Sequence, residues 1–155
     1  MMHLTAQPRG GRNEHGSDSG QTLVEFAISS LLFLLLLFSV IEFSYIFFVK
    51  MTLQNAVRQA GRYAITGQTM AGQASRYNSI VKTAVDYSMG LVSSSDISII
   101  CVGGCSSAGG PGDTITISVT YKYKFLTGIV APFFKNGLTF NVSDTFKNEP
   151  FPPGT

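Results

Sequence analysis

The longest hydrophobic stretch of the chain runs from Leu23 to Val49 and reads LVEFAISSLLFLLLLFSVIEFSYIFFV, with Glu25 and Glu42 as its only charged residues. A helix needs about 20 mostly apolar residues to cross the hydrocarbon core of a bilayer. The pattern therefore predicts one membrane-spanning helix over residues 21–49. The stretch is too long for the apolar region of a secretory signal peptide, and no small-residue cleavage pattern follows it. We therefore expect it to stay attached to the rest of the chain.

Helical spacing continues past this stretch, over residues 50–67. Apolar residues recur at spacings of three and four, at Leu53, Ala56, Val57, Ala60 and Ala64. A polar stripe recurs every four residues on the other side, at Lys50, Gln54, Arg58 and Arg62. Gly67 is predicted to end the helix. We interpret the stripe as a solvated face, with contact to anionic lipid headgroups as the alternative.

The remaining residues, 68–155, show the shorter periods of a small exported domain. Spacings of three and four predict a short helix over 75–91 that ends at Gly90, and residues 97–102 read as a strand. Alternation predicts two further strands, over 114–125, where every odd position is apolar, and over 138–146. The glycine-rich loop 103–113 is interpreted as flexible and exposed, and the proline-rich end as a flexible tail. The predicted fold class is α+β: a long amino-terminal helix followed by a domain with an antiparallel sheet.

Residues 1–20 form a polar leader with no apolar period, which predicts disorder. The net charge of +2 is small and the basic residues are scattered, so we expect no nucleic-acid partner. Both histidines, His3 and His15, lie in this leader. Without the leader the chain has no histidine base or histidine zinc ligand, and its acids show no paired spacing. We therefore expect no enzymatic activity, no metal and no cofactor.

The junction between the leader and the hydrophobic stretch has two interpretations. Gly20 directly precedes Gln21, Glu25 lies five residues after the glycine, and Phe26 follows. In the first interpretation this is a helix start, where Glu25 favours the positive end of the helix dipole. In the second, a prepilin-type leader is cut after Gly20 at the cytoplasmic membrane face, which leaves the helix intact. Glu25 of one subunit could then neutralise the new Gln21 amine of a neighbour. We favour the second interpretation because leader, glycine, acid and hydrophobic helix coincide.

The same segment resembles the TadE-like family of minor pseudopilins, from the tight-adherence (Flp) branch of type IV pilus systems. The likeness covers residues 20–65 and departs from the family at Ser30–Leu31, where the family often has a proline. The matching residues belong to the VEFA start, to the IEF sequence near the end of the stretch and to the alanine–arginine helix after it: Val24, Glu25, Phe26, Ala27, Ile41, Glu42, Phe43, Ala56, Arg58, Gly61, Arg62 and Ala64.

The resemblance implies a pilin-like minor pseudopilin that takes part in assembly or secretion by such a pilus. It implies cleavage after Gly20 by a prepilin peptidase. The implied partners are that peptidase, other pilins and pseudopilins, the inner-membrane assembly platform and the lipid bilayer. We expect a single-pass protein of the bacterial inner membrane, with a cytoplasmic amino terminus and the domain in the periplasm, or outside the cell after assembly. The alternative is an unprocessed single-pass protein that displays a small sensor or adhesin domain.

Two features remain open to more than one interpretation. Glu42 either lies near the outer interface, where it snorkels or stays protonated, or joins Glu25 in helix packing within an assembly. Cys101 and Cys105 are the only cysteines, spaced C-x-x-x-C. Redox or metal chemistry would suit a cytosolic pair, but two thiolates without histidine cannot complete a zinc site alone. In an exported domain we expect a disulfide between them, and this also favours the outward orientation.

Overall fold

The computed structural model describes residues 16–105, 107–128 and 137–152. The chain divides into two compact units, Met1–Val40 and Ile41–Thr155, which we call the amino-terminal unit and the carboxyl-terminal unit. The boundary between them falls inside the hydrophobic stretch, earlier than the predicted division at residue 49. Residues 1–15 of the predicted leader, with both histidines, lie outside the described residues.

One helix, α1, runs from Gly16 to Ile65. No proline interrupts it, because the sequence has none between Pro8 and Pro111, and it is rich in Leu, Phe and Ala. Residues 16–20 were predicted to be disordered but are helical. Adding residues to an existing helix costs far less than nucleating one, which offsets their weak helix propensity. An 18-residue window of α1 has a mean hydropathy of 2.5, so the helix is long and apolar enough to cross a membrane.

The carboxyl end of α1 is held by three other parts of the carboxyl-terminal unit. The helix ends two residues before Gly67, which has a positive φ of 72° and whose N–H donates to the Ala64 carbonyl at 3.3 Å. Arg76 Nη2 donates to the same carbonyl at 2.6 Å, and Glu149 N–H donates to the Ile65 carbonyl at 3.1 Å. These donors satisfy carbonyls that have no partner within the helix.

The second helix, α2, spans Arg76–Tyr87 and is followed by a short 3₁₀ helix, Ser94–Asp96. Ser75 caps the start of α2, since its hydroxyl accepts from the Asn78 N–H at 3.2 Å. The helix ends at Tyr87 and not at residue 90, because Met89 and Gly90 adopt positive φ angles of 56° and 78°.

Three strands form one antiparallel sheet in the order β1–β2–β3, with β1 at Ile97–Val102, β2 at Thr114–Tyr123 and β3 at Leu138–Lys147. Ile97 pairs with Val119, and Tyr123 pairs with Leu138. The predicted α+β class is confirmed, with its helix and its three-stranded antiparallel sheet. β2 stops two residues before the predicted end, because the chain after Tyr123 turns to donate its N–H groups to Glu42.

The core of the carboxyl-terminal unit lies between one face of α1, α2 and the inner face of the sheet. The five apolar positions predicted from the spacing between residues 53 and 64 are all buried, whereas Lys50, Arg58 and Arg62 are exposed. The inner face of the sheet follows the alternation in the sequence. The buried apolar side chains of this core include Leu53, Val57, Ala60, Ala64, Ile80, Ala84, Ile97, Ile99, Ile115, Ile117 and Val119.

Two segments interpreted as flexible are packed where they are described. In the loop before β2, Ala108 is buried, and Asn148 Nδ2 donates to the carbonyls of Ala108 and Gly110 at 3.2 and 2.9 Å. In the proline-rich end, the ring of Phe151 lies under the Arg76 guanidinium, with 4.6 Å from Cζ to the ring centroid. Contacts from distant parts of the sequence hold these residues in the structure, while the flexibility of the loop and of the tail stays a prediction. Residues 106 and 153–155 lie outside the described part.

Candidate functional site

The residues of the predicted processing motif lie on an exposed turn of α1 in the amino-terminal unit. Gly20, Gln21, Glu25 and Phe26 are all exposed, Phe26 at 72%. Among the described residues, and apart from the adjacent backbone of α1, no heavy atom comes within 4 Å of a Cβ built on Gly20. Gln21 Nε2 donates to Glu25 Oε1 at 3.1 Å, so the two side chains share one helix face. The motif is thus exposed to a binding partner, and Glu25 lies on the same helix face as Gln21.

Glu42 is in a different environment, although it belongs to the same helix. It is 3% exposed, and both of its carboxylate oxygens accept hydrogen bonds within the carboxyl-terminal unit. Oε1 accepts from the Tyr123 hydroxyl at 2.7 Å and from the Leu126 N–H at 3.2 Å. Oε2 accepts from the Thr127 N–H at 3.0 Å and from the Thr127 hydroxyl at 2.9 Å. Four donors thus surround one buried carboxylate, and this replaces the water it lost.

Aromatic rings enclose the Glu42–Tyr123 contact. The Tyr123 ring lies 5.7 Å from that of Tyr45, 5.2 Å from Phe125 and 5.8 Å from Phe140, measured between centroids. Burial, followed by the hydrogen bond to Glu42, raises the pKa of the Tyr123 hydroxyl. Tyr123 therefore remains a protonated donor to the carboxylate. The rings keep water from the contact, which strengthens it relative to a surface hydrogen bond.

These contacts define the surroundings of Glu42. Both of its carboxylate oxygens accept hydrogen bonds from its own chain, so Glu42 ties the end of β2 to α1. No local pattern indicates this contact, because Tyr123 and Thr127 lie more than 80 positions away and Tyr123 simply continues the apolar alternation of its strand. A role of Glu42 in helix packing within an assembly stays a prediction.

Arg76 is a second anchor that the sequence analysis missed. Its Nη1 donates to the Gly109 carbonyl at 2.6 Å, while Nη2 donates to Ala64 at the end of α1. Burial lowers the pKa of its guanidinium. The residue therefore joins the loop before β2, the end of α1 and, through Phe151, the carboxyl-terminal segment.

The structure joins Cys101 and Cys105 in a disulfide, with 5.3 Å between the Cα atoms. The Asp113 carboxylate lies near the two sulfurs, and the three potential ligand atoms fall within 4.8 Å of one another. Both sulfurs are used by the disulfide, and Asp113 Oδ2 accepts from the Gly110 N–H at 2.7 Å. In this state the cluster closes the loop before β2. Oxidation of the pair in the cell stays a prediction.

Comparison with known proteins bears on the amino-terminal half of the chain. The family model described as TadE-like protein matches residues 20–62. No curated protein and no solved structure matches the chain. The matched segment begins at Gly20, includes both glutamates and ends at Arg62 near the end of α1. The resemblance based on the VEFA and IEF sequences is therefore confirmed.

The matched helix is also the one that is apolar enough to cross a membrane, which fits a single-pass membrane protein. Over residues 20–62 this chain is thus similar to the TadE-like protein family.

Proposed function

We propose that this chain is a minor pseudopilin of a tight-adherence (Flp) type IV pilus system. A prepilin peptidase cuts it after Gly20, and it has no catalytic reaction of its own. It sits in the bacterial inner membrane with a cytoplasmic amino terminus and an exported carboxyl-terminal unit. Its partners are the peptidase, other pilins and pseudopilins, and the assembly platform. The observation that carries the proposal is the family match, which begins at an exposed Gly20.

The local sequence suits cleavage at this position. The residues from Gly16 to Gly20 read GSDSG, and Gly, Ser and Asp are weak helix formers. This turn of α1 can therefore unwind at little cost to enter a peptidase, whereas the apolar helix after Gln21 stays folded. Among the described residues beyond the adjacent helix backbone, none lies within 4 Å of a Cβ built on Gly20, which supports access for the enzyme.

Cleavage would also give Glu25 a charged partner. The amine created at Gln21 lies one helical turn before Glu25, whose carboxylate now accepts only from the Gln21 side chain among the contacts described above. A positive amine in or near lipid is costly unless a carboxylate neutralises it. We propose that Glu25 supplies this charge to a neighbouring subunit during assembly and so sets the register of the packed helices.

The test is the intact mass of the full chain, extracted from membranes after expression with and without its cognate prepilin peptidase. We expect a chain that starts at Gln21 only with the peptidase. A Gln terminus can cyclise with loss of ammonia and block sequencing, so mass is the better readout. Gly20→Leu, which adds a bulky side chain at the cut position, should stay uncut. An uncut wild-type chain in both samples would favour an unprocessed protein that displays a sensor or adhesin domain.

The register role needs a separate variant. Glu25→Gln keeps the size of the side chain and removes its charge. We expect it to be cut normally and to assemble less well, as measured by cross-linking to pilin partners. Normal cutting together with normal assembly would remove the register role and leave the processing proposal intact.

A further inference from the structure

The side of α1 that faces away from the core remains apolar well into the carboxyl-terminal unit. Phe43, Phe47 and Met51 follow one another at four-residue spacing and are 63%, 56% and 64% exposed. The rings of Phe43 and Phe47 are in contact, with 5.6 Å between centroids. On the opposite side of the same turns, Val49 and Leu53 are fully buried. We call Phe43, Phe47 and Met51 the outer ridge.

Another exposed apolar side chain lies close to Glu42. Leu126, three residues after β2, is 57% exposed, and its N–H donates to Glu42. The neighbouring donors of Thr127 are bonded to the same carboxylate. Irregular backbone is tolerated at membrane depth only where its polar groups are satisfied by the protein. At this end of the sheet, the donors of Tyr123, Leu126 and Thr127 meet that condition.

Basic residues border the outer ridge towards the carboxyl end of α1. Lys50 is the first charged residue after Glu42, and Arg58 and Arg62 continue the exposed stripe. Among the described residues none of the three has an acidic group within ion-pair distance. Unpaired cations directly after an exposed apolar surface are typical of the level of lipid headgroups, where they contact phosphate.

The length of the apolar sequence decides where the membrane ends. About 20 helical residues cross the hydrocarbon core, and Leu23 to Glu42 already supply that number. Crossing the core and both headgroup regions, about 40–45 Å, takes roughly 27–30 residues at 1.5 Å per residue. The sequence from Leu23 to Met51 has that length, so its end coincides with the outer ridge and Lys50.

We propose that the base of the carboxyl-terminal unit is embedded in the outer part of the bilayer. The outer ridge and Leu126 contact lipid, Glu42 accepts hydrogen bonds from the N–H groups of Leu126 and Thr127 and from the Thr127 hydroxyl, and Lys50 marks the headgroup level. This inference rests on the membrane anchoring in the proposed function.

The chain contains no tryptophan, so one introduced tryptophan reports its own depth. The full chain is reconstituted in vesicles of phosphatidylcholine with some phosphatidylglycerol, with and without bromine on the acyl chains. The test variants are Phe47→Trp and Leu126→Trp. Phe33→Trp reports the span, and Ile100→Trp, on an exposed position of β1, reports the solvent-facing side. All four replaced side chains are exposed, which limits the effect on folding.

We expect brominated lipid to quench Phe47→Trp and Leu126→Trp as strongly as Phe33→Trp, whereas only aqueous iodide quenches Ile100→Trp. If Phe33→Trp alone responds to bromine and iodide reaches the other sites, the helix spans but the domain stands clear, and the inference is wrong. If Phe33→Trp does not respond either, the proposed membrane anchoring fails as well. If Phe47→Trp becomes shielded from both quenchers only with a pilin partner present, a protein helix covers the ridge, and lipid does not.

Discussion

The two halves of α1 have similar chemistry but opposite surroundings. In the amino-terminal unit, Phe26, Phe33 and Leu36 are more than half exposed. In the carboxyl-terminal unit, Leu53, Val57 and Ala60 of the same helix are almost completely buried against the sheet and α2. The first half requires an apolar environment that the described part of the chain does not supply, while the second half supplies one for the domain. The difference follows from what packs against the helix, since apolar residues occur on both sides of the boundary.

The two glutamates show the same contrast. Glu25 is exposed and accepts from Gln21, one turn away, whereas Glu42 is buried under four donors from the end of β2. An acid within an apolar run is thus not evidence for a single role. Glu25 is available to other molecules, and Glu42 belongs to the fold. The predictions below test this contrast, beginning with the largest expected effect.

Matched leucine truncations compare the two halves directly. Leu53→Ala leaves a cavity in the core and should lower the free energy of unfolding by about 3 kcal/mol. Leu36→Ala, at a side chain that is 64% exposed, should change it by less than about 0.5 kcal/mol. The measurement is denaturant unfolding of the full chain in detergent, followed by tyrosine circular dichroism. Equal losses in the two variants would contradict the division of α1.

Tyr123→Phe tests the Glu42 contact through its pH dependence. Tyr123 and the other five tyrosines all follow residue 40, so the substitution changes a side chain of the carboxyl-terminal unit. At neutral pH the lost hydrogen bond to a carboxylate should cost about 2 kcal/mol. The folded pKa of Tyr123 is raised above its ordinary value of 10.0, so its contribution is complete below pH 10 and declines as the pH rises further.

The advantage of the wild type over Tyr123→Phe should therefore narrow above pH 10. Tyr121, whose pKa is raised mainly by burial, is present in both proteins and cancels in the comparison. Thermal unfolding measured from pH 7 to above pH 10 provides the readout. A constant difference in stability between the two proteins over this pH range would show that the stabilising effect of the Tyr123 hydroxyl does not depend on its buried contact with Glu42.

Two glycines of α1 sharpen the comparison with a smaller effect. A Cβ on Gly61 would overlap the ring of Phe146 from β3, whereas one on Gly20 would meet no atom within 4 Å. Gly61→Ala gains helix propensity of about 1 kcal/mol but forces a packed ring to move, so we expect a net loss of about 1 kcal/mol. Gly20→Ala should not destabilise the uncut chain. Thermal unfolding compares the two variants. A Gly61→Ala variant that is more stable than the wild type would show that the Phe146 ring moves aside at little energetic cost.

Local periodicity was sufficient to predict most of the fold. The apolar spacing of residues 53–64 and the alternation of residues 114–123 each identified an element and its buried face, because both depend on neighbours in the sequence. The predicted processing motif at Gly20 and Glu25 was likewise identified from residues close together in the sequence. What escaped prediction depends on distant partners: Tyr123 and Thr127 for Glu42, and Asn148 for the glycine-rich loop.

The boundaries that were wrong have the same cause. The strand predicted to reach residue 125 stops at Tyr123, and a few residues later the N–H groups of Leu126 and Thr127 are bonded to Glu42. The proline-rich end was interpreted as a tail because its sequence has no period, yet Glu149 and Phe151 close the end of α1. Side chains that join separate elements leave no spacing signal in either element.

The central claim, that Glu42 maintains the fold and Glu25 does not, is tested most directly by limited proteolysis of Glu42→Ala and Glu25→Ala. The full chains are digested in detergent over a range of protease concentrations, and the fragments are identified by mass. Glu42→Ala removes the acceptor of four donors, of which the Tyr123 hydroxyl is buried and the other three are partly buried. A buried donor left without an acceptor costs about 1–3 kcal/mol unless water reaches it. We predict that its carboxyl-terminal unit is digested under conditions that leave the wild type and Glu25→Ala intact. Equal resistance of Glu42→Ala and wild type, or equal sensitivity of the two variants, would contradict the account.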